Sequence, residues 1–283
     1  RVTVVEALDS ILAGADADLS RLVVAYGRKL FKEVRVKTSI RSLTMAGERV
    51  RAVMETNGES KEELYDRVLI AVGRVANSGE LGLENTQATL DPRGCLTVND
   101  RQQTADPALY AIGDVAGGVM LAHKAARDAR VAVEAILGLP ETTRHAVVPA
   151  VVFTDPEIAW VGLTEAEAKA RAVAVEIAKF QWGASGRALT NDRPDGVTKL
   201  IIEPQTEQIL GVGIAGQGAG ELIAEATIAV EHKLTARGLA HVIHPHPTLS
   251  ETLMEAAESF YGHGTHALPK KKSSRASQQG CQP

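Results

Sequence analysis

Cysteine is scarce in this 283-residue sequence, and its two copies, Cys95 and Cys281, are far apart and without metal-ligand spacing. That argues against a disulfide scaffold and against a thiolate metal site. No apolar run approaches the roughly 20 residues that cross a bilayer, so no membrane partner is expected. Charge of one sign is not in excess. The formal net charge is −4, which leaves no electrostatic case for nucleic acid. An initiator methionine and a signal sequence are also absent: the chain opens Arg1-Val-Thr-Val-Val-Glu6, inside an apolar β-branched run. A start of that kind is expected of a piece of something longer, and a cytoplasmic location is the default. The apolar content is ordinary, 45%, and the length suffices for two domains of usual size.

The run V-T-V-V-E reads as a buried strand, and A-D-L-S-R-L-V-V-A-Y-G-R-K-L-F-K as an amphipathic helix with Asp16 or Asp18 near its start. V-R-V-K-T-S-I-R-S-L and R-V-R-A-V-M-E-T alternate like half-buried strands. D-R-V-L-I-A-V-G-R reads as an apolar strand ending at Gly73. To about residue 75 this is α/β with a strand meander. A second unit holds the strands C-L-T-V-N and A-L-Y-A-I-G-D-V and a long helix from Met120 that stops at Gly138. From about residue 147, five strands alternate with helices and hairpins, which suggests an α+β domain. The basic end, K-K-K-S-S-R-A-S-Q-Q-G, is expected to be a solvated, disordered tail.

Gly211-Val-Gly213-Ile-Ala-Gly216 matches G-x-G-x-x-G with a helix behind it. A dinucleotide fold also needs a second strand about 20 residues on that ends in an acid. None is there, so the glycines are read as permitting close strand packing. Glu6 is the reverse case, an acid at a strand end where such a fold holds a ribose diol, with no glycine fingerprint before it. A plain strand-end acid is the alternative. Asp114 closes the strand A-L-Y-A-I-G-D, where α/β sheets gather ligands, and can accept hydroxyl groups of a sugar or ribityl chain; a turn residue is its alternative. The helix opening near Met120-Leu121-Ala122-His123 would turn its positive end toward an anion, and His123 can equally be an ordinary helix-side histidine.

The stretch H-P-H-P-T-L-S-E, residues 244–251, fixes the backbone twice around two imidazoles. Proline keeps His244 and His246 out of helix. The run from Leu249 to Phe260 then reads as a helix with Thr248 as N-cap and Glu251 at the third position, a T-x-x-E capping box. One reading is a capped helix after a rigid loop. The other is a histidine oriented by a carboxylate as an acid–base catalyst.

V-T-V-V-E, A-V-G-R-V-A-N, Y-A-I-G-D-V, M-L-A-H-K-A, D-P-E-I-A-W-V-G-L-T-E and H-P-H-P-T-L-S-E stand in an order and spacing that resembles the dihydrolipoamide dehydrogenases, flavin-dependent pyridine nucleotide-disulfide oxidoreductases. The resemblance runs from residue 1 to about 272. It implies a remnant of a Rossmann-like NAD domain (1–75), part of the FAD or central domain (76–146), an α+β dimerisation domain (147–265) and the tail (266–283). It implies that Glu6, Ile40 and Gly73 line the NAD site, and that Asp114, Met120, Leu121, Ala122 and His123 contact FAD. It makes His246 the acid–base, Glu251 its orienting partner, and a homodimer and the lipoyl domain of a 2-oxo acid dehydrogenase complex the partners. No metal is implied. Electrons would pass from dihydrolipoamide through a redox disulfide and FAD to NAD.

The sequence departs from the family at Pro245, where a small residue is usual, and at Asp128-Ala129, where Glu-Gly is common. The flavin fingerprint, the C-x-x-x-x-C pair and the NAD fingerprint are missing, and Cys95 and Cys281 cannot replace a pair of close thiols. The isolated chain is therefore expected to be inactive. The rival readings are another flavin disulfide reductase, of the glutathione or mercuric type, and an inactive dimerisation module.

Overall fold

A computed structural model describes residues 1–140, 142–143 and 147–266. Most of the basic tail, with Cys281, lies outside the described residues. The chain forms two compact units: Arg1–Val68 together with the residues from Pro149 onward, and Leu69–Val148.

The first unit begins with β1 (Thr3–Val5), α1 (Ala17–Leu30) and β2 (Glu33–Arg35). β1 and β2 pair in parallel, Val4 opposite Val34. β3 (Thr38–Ala46), β4 (Arg49–Thr56) and β5 (Glu59–Tyr65) follow as an antiparallel meander. The run expected as one strand from Val34 to Leu43 is thus two, broken where Lys37 takes φ +52°. Its first part pairs with β1 and its second with β4. β5, E-S-K-E-E-L-Y, carries too few apolar residues to register as a strand in the pattern. Its signal is the turn before it: Asn57 and Gly58 both have positive φ, +53° and +85°, as a two-residue hairpin requires.

In the second unit the expected strands do not form. D-R-V-L-I-A-V-G-R runs without a ladder, with Leu69 92% and Val72 91% exposed. An apolar strand of this type is stable only between neighbours, and none of the described strands pairs with it. C-L-T-V-N and A-L-Y-A-I-G-D are reduced to single bridges, Leu90 to Leu96 and Gln103 to Tyr110. A 3₁₀ turn, Gly113–Ala116, and α2 (Ala122–Ile136) follow. Gly138, at φ +76°, turns the chain away after the helix.

The chain then returns to the first unit with β6 (Ala150–Val152), β7 (Glu157–Gly162), α3 (Glu165–Ala170), β8 (Glu176–Gln181), α4 (Gly186–Thr190), β9 (Val197–Ile202), β10 (Ile209–Gly216), α5 (Ala219–Glu231), α6 (Ala236–Ala240) and α7 (Glu251–Tyr261). The five strands form one antiparallel sheet, ordered β6-β7-β10-β9-β8. α5 packs on β7 and β10, and α7 on β8 and β9. α1 lies on β10 and β7, where Leu19, Val23, Ile158, Val197 and Ala215 form a core cluster.

The glycines of β10 serve packing, as read from the sequence. A Cβ on Gly213 would stand 2.7 Å from Leu19 Cδ1, and one on Gly216 2.3 Å from the Trp182 ring. Any side chain there would push α1 or Trp182 off the sheet.

A candidate acid–base site and a candidate cofactor cradle

The loop from Val242 to Ser250 brings His246 and Glu251 together. His246 Nδ1 lies 2.8 Å from Glu251 Oε1, and the Thr248 N–H donates to Glu251 Oε2 at 2.7 Å. One carboxylate therefore serves the ring and the helix entrance at once. The capping box is only half made. α7 begins at Glu251 with Ser250 in the cap position, and the Thr248 hydroxyl donates instead to the Pro245 carbonyl.

The start of α7 is fixed from the core. The Trp182 ring, fully buried, donates through Nε1 to Thr198 Oγ1. Thr198 donates to Thr252 Oγ1, and Thr252 to the Leu249 carbonyl. This chain holds the turn that carries Glu251.

Burial works against charge on Glu251, but the Thr248 N–H, the His246 ring and the positive charge available to His246 and His266 together hold its carboxyl below the usual range. An ionised carboxylate accepts, so the proton on His246 sits on Nδ1. Nε2 is left as the basic nitrogen on a side chain that is 67% exposed. Such a ring can take a proton from a thiol and give it back.

The second unit holds the other group of residues singled out in the sequence. Asp114 sits in the 3₁₀ turn, its carboxylate 3.6 Å from the Arg74 guanidinium, and Arg74 donates to the Met120 carbonyl at 2.8 Å. Met120, Leu121, Ala122 and His123 lead into α2, whose first turn has no acid. A cavity of about 130 Å³ opens here, lined by Arg74, Val75, Arg93, Cys95, Gly117 and Met120. That is less than the roughly 300–1,000 Å³ of a whole small-molecule site. Cations, a hydroxyl-accepting carboxylate and an acid-free helix start fit one anionic, hydroxyl-bearing segment of a larger ligand.

Sequence reasoning missed what holds this cradle. Asp128, noted only as a departure, is 1% exposed; its Oδ2 accepts the Gly113 N–H at 3.0 Å and the Lys124 ammonium at 2.6 Å. Its position one turn after Lys124 was the available signal.

Glu6 directly follows β1, and its Oε1 accepts the Leu8 N–H at 2.8 Å. Ile40 is 43% exposed at the start of β3, whose Thr38 N–H binds the Glu6 carbonyl. Gly73, with φ +123°, belongs to the second unit.

Asp16, Asp18 and Glu165 converge closely enough to hold a metal ion. The Lys199 ammonium stands among them at 2.7, 2.7 and 2.8 Å, with its side chain fully buried. Desolvation disfavours its charge, but the three carboxylates outweigh that and raise its pKa. Asp16 also accepts the Glu165 and Ala166 N–H groups, capping α3 from 149 residues away in sequence.

With fold and site in place, the comparisons define the class. The model described as pyridine nucleotide-disulphide oxidoreductase matches residues 1–129, and its dimerisation domain matches residues 148–257. The chain belongs to the pyridine nucleotide-disulphide oxidoreductases. Within them it is similar to dihydrolipoyl dehydrogenases, at 38% identity with that of Vibrio parahaemolyticus over 96% of this chain. With that of Thermus scotoductus the identity is 42% over 94% of it. It spans 57% and 58% of those proteins. The crystal structure of LpdA from Mycobacterium tuberculosis superimposes with a TM-score of 0.83 at 30% identity, over 92% of this chain and 56% of that one. A Cu(II) complex of the HOCl-induced flavoprotein disulfide reductase RclA from Escherichia coli gives the same TM-score at 25% identity, over 91% and 58%. The fold thus carries the class, and the sequence relatives carry the finer likeness. Among the described residues no helix is long and apolar enough to cross a membrane.

Proposed function

We propose that this chain is the nucleotide-binding and interface portion of a dihydrolipoyl dehydrogenase that acts as a cytoplasmic homodimer on lipoyl domains of 2-oxo acid dehydrogenase complexes. The single observation that carries the reading is the shared carboxylate of Glu251, which fixes the proton of His246 on Nδ1 and leaves Nε2 basic and exposed. His246 would take the proton of a dihydrolipoamide thiol, because the thiolate and not the thiol attacks a disulfide. Glu251 would then face the imidazolium and stabilise it.

Asp114 and the stretch Met120 to His123 would hold FAD, by hydroxyl acceptance and by the start of α2. FAD, when bound, passes electrons between disulfide and nicotinamide. Glu6, with Ile40 and Gly73, would serve NAD: its carboxylate accepts a ribose 2′-hydroxyl and repels a 2′-phosphate. The domain assignment that goes with this is 1–75 for NAD, 76–146 for the flavin-contacting segment and 147–265 for the interface.

The test uses the longer protein that contains this chain together with a close thiol pair. His246→Ala should lower dihydrolipoamide-dependent NAD reduction on the order of 10²–10⁴-fold, the usual cost of a positioned base. Mixing that variant with one lacking the thiol pair should restore turnover in isolated heterodimers, one of whose two composite sites is intact. Lack of recovery in a verified heterodimer would show that His246 does not serve the partner's disulfide. Unchanged turnover in the single variant would remove its acid–base role.

A further inference from the structure

Two histidines share the loop, and only one of them belongs to the proposed chemistry. His244 is the opposite of His246 in setting. Its side chain is 4% exposed, against 67% for His246. Its Nε2 lies 2.8 Å from Glu225 Oε1 on α5, and its Nδ1 lies 2.9 Å from the Val242 carbonyl. Both neighbours are acceptors, so whichever nitrogen carries the proton has a partner to donate to. A buried ring with a protein acceptor against each nitrogen is an anchor; it offers no free nitrogen to a substrate.

The anchor sits where it controls the base. From His244 the chain runs through Pro245, His246 and Pro247 to Thr248. The prolines fix two of the intervening φ angles. At the far end the Thr248 hydroxyl binds the Pro245 carbonyl, and the Thr248 N–H binds Glu251. The downstream brace is therefore α7, and the upstream brace is the His244–Glu225 pair on α5. With both made, the His246 ring is held against Glu251. With the upstream one lost, the described bonds of His246 and Thr248 near the start of α7 are what tie the loop.

We propose that His244, clamped by Glu225, is a positioning residue that keeps His246 on Glu251 in the Nδ1–H tautomer. The proposal rests on the reading of His246 as the base, and its test separates the two. Long-range proton–nitrogen correlation spectra of the labelled 283-residue chain at pH 8, with His246 assigned through His246→Gln, report its tautomer. The parent should show His246 protonated on Nδ1. His244→Ala and Glu225→Ala should lose that single signature and move toward the Nε2–H form that unconstrained histidines prefer. Glu225→Gln, which keeps an acceptor, should retain it. Glu225 is partly exposed, so Glu225→Ala carries the test if His244→Ala fails to fold. In the longer protein the two alanine variants should lower kcat on the order of 10–100-fold through misplacement of the base, with KM for NAD unchanged. An unaltered His246 tautomer in folded His244→Ala and Glu225→Ala chains overturns the proposal. A shifted tautomer with undiminished turnover upholds the positioning and overturns the reading of His246 as the base.

Discussion

The C-terminal sheet and the segment from Leu69 to Val148 are held together by different means. In the sheet every strand has a laddered neighbour, and β9 is buried along its whole length. In the segment, side chains replace the ladders. Asp91 accepts the N–H groups of Arg93 and Cys95, Asn99 those of Arg101 and Gln103, Asp106 that of Ala108, and Asp128 that of Gly113. All but the last are local Asx-type contacts, which offer the backbone an alternative to a strand. A ladder spreads its stabilisation over many bonds. A segment pinned by a few acids concentrates it, so single substitutions and acid should act on it locally.

The largest effect expected lies on the laddered side, at the fully buried Lys199. Lys199→Met takes the buried cation from among Asp16, Asp18 and Glu165 and leaves them only the partly exposed Lys179, 2.6 Å from Asp18 and 3.4 Å from Glu165, which costs about 3–5 kcal/mol for a broken buried pair. Guanidinium unfolding measures it. A loss under about 1 kcal/mol would mean that the cluster does not depend on the ammonium. Next comes Asp128→Ala, which strips the Gly113 N–H and Lys124 of their acceptor, about 1–3 kcal/mol. Hydrogen exchange should quicken at Gly113 and along α2, while β9 and β10 keep their protection.

Acid should divide the two regions further. The Cys95 N–H, working against slight desolvation and joined by Arg93, holds the Asp91 carboxyl below its ordinary 3.8. A depressed carboxyl stabilises the fold above its unfolded value and loses that contribution as pH falls through the folded one. Protection of the Arg93 and Cys95 amides should therefore be intact at pH 5 and fall below about pH 4, ahead of the β9 amides. Loss of protection in β9 first would reverse the comparison. The smallest effect is expected from Leu69→Ser, within about 0.5 kcal/mol, since that side chain is 92% exposed. A clear destabilisation would show that the 69–73 run is paired after all.

What the sequence revealed follows the same division. The five strands and main helices beyond residue 147 were legible because period and burial agree there. The packing role of the β10 glycines was legible, and a Cβ on Gly213 or Gly216 would strike Leu19 or Trp182. The 66–74 run failed for the complementary reason: its composition specifies a strand only if neighbours exist, and sequence alone does not say that they do. At the site, the His246–Glu251 approach was readable because Glu251 comes five positions after His246 and the prolines limit the loop. The Lys199 cluster was not. Asp18 and Lys199 lie 181 residues apart, and each looks like an ordinary surface charge until the fold brings them together. His244 escaped notice as an anchor because its partner, Glu225, is an unremarkable acid on an amphipathic helix.

Lys199 also decides how that junction behaves in solution. A metal ion among Asp16, Asp18 and Glu165 would come and go with its concentration, and a chelator could strip it away. The ammonium is tethered through a strand of the sheet, so its occupancy is set by the covalent chain. The join between α1, α3 and the sheet should therefore be indifferent to EDTA and to dilution. Mutation, acylation of Lys199, unfolding or a pH above its raised pKa would discharge it.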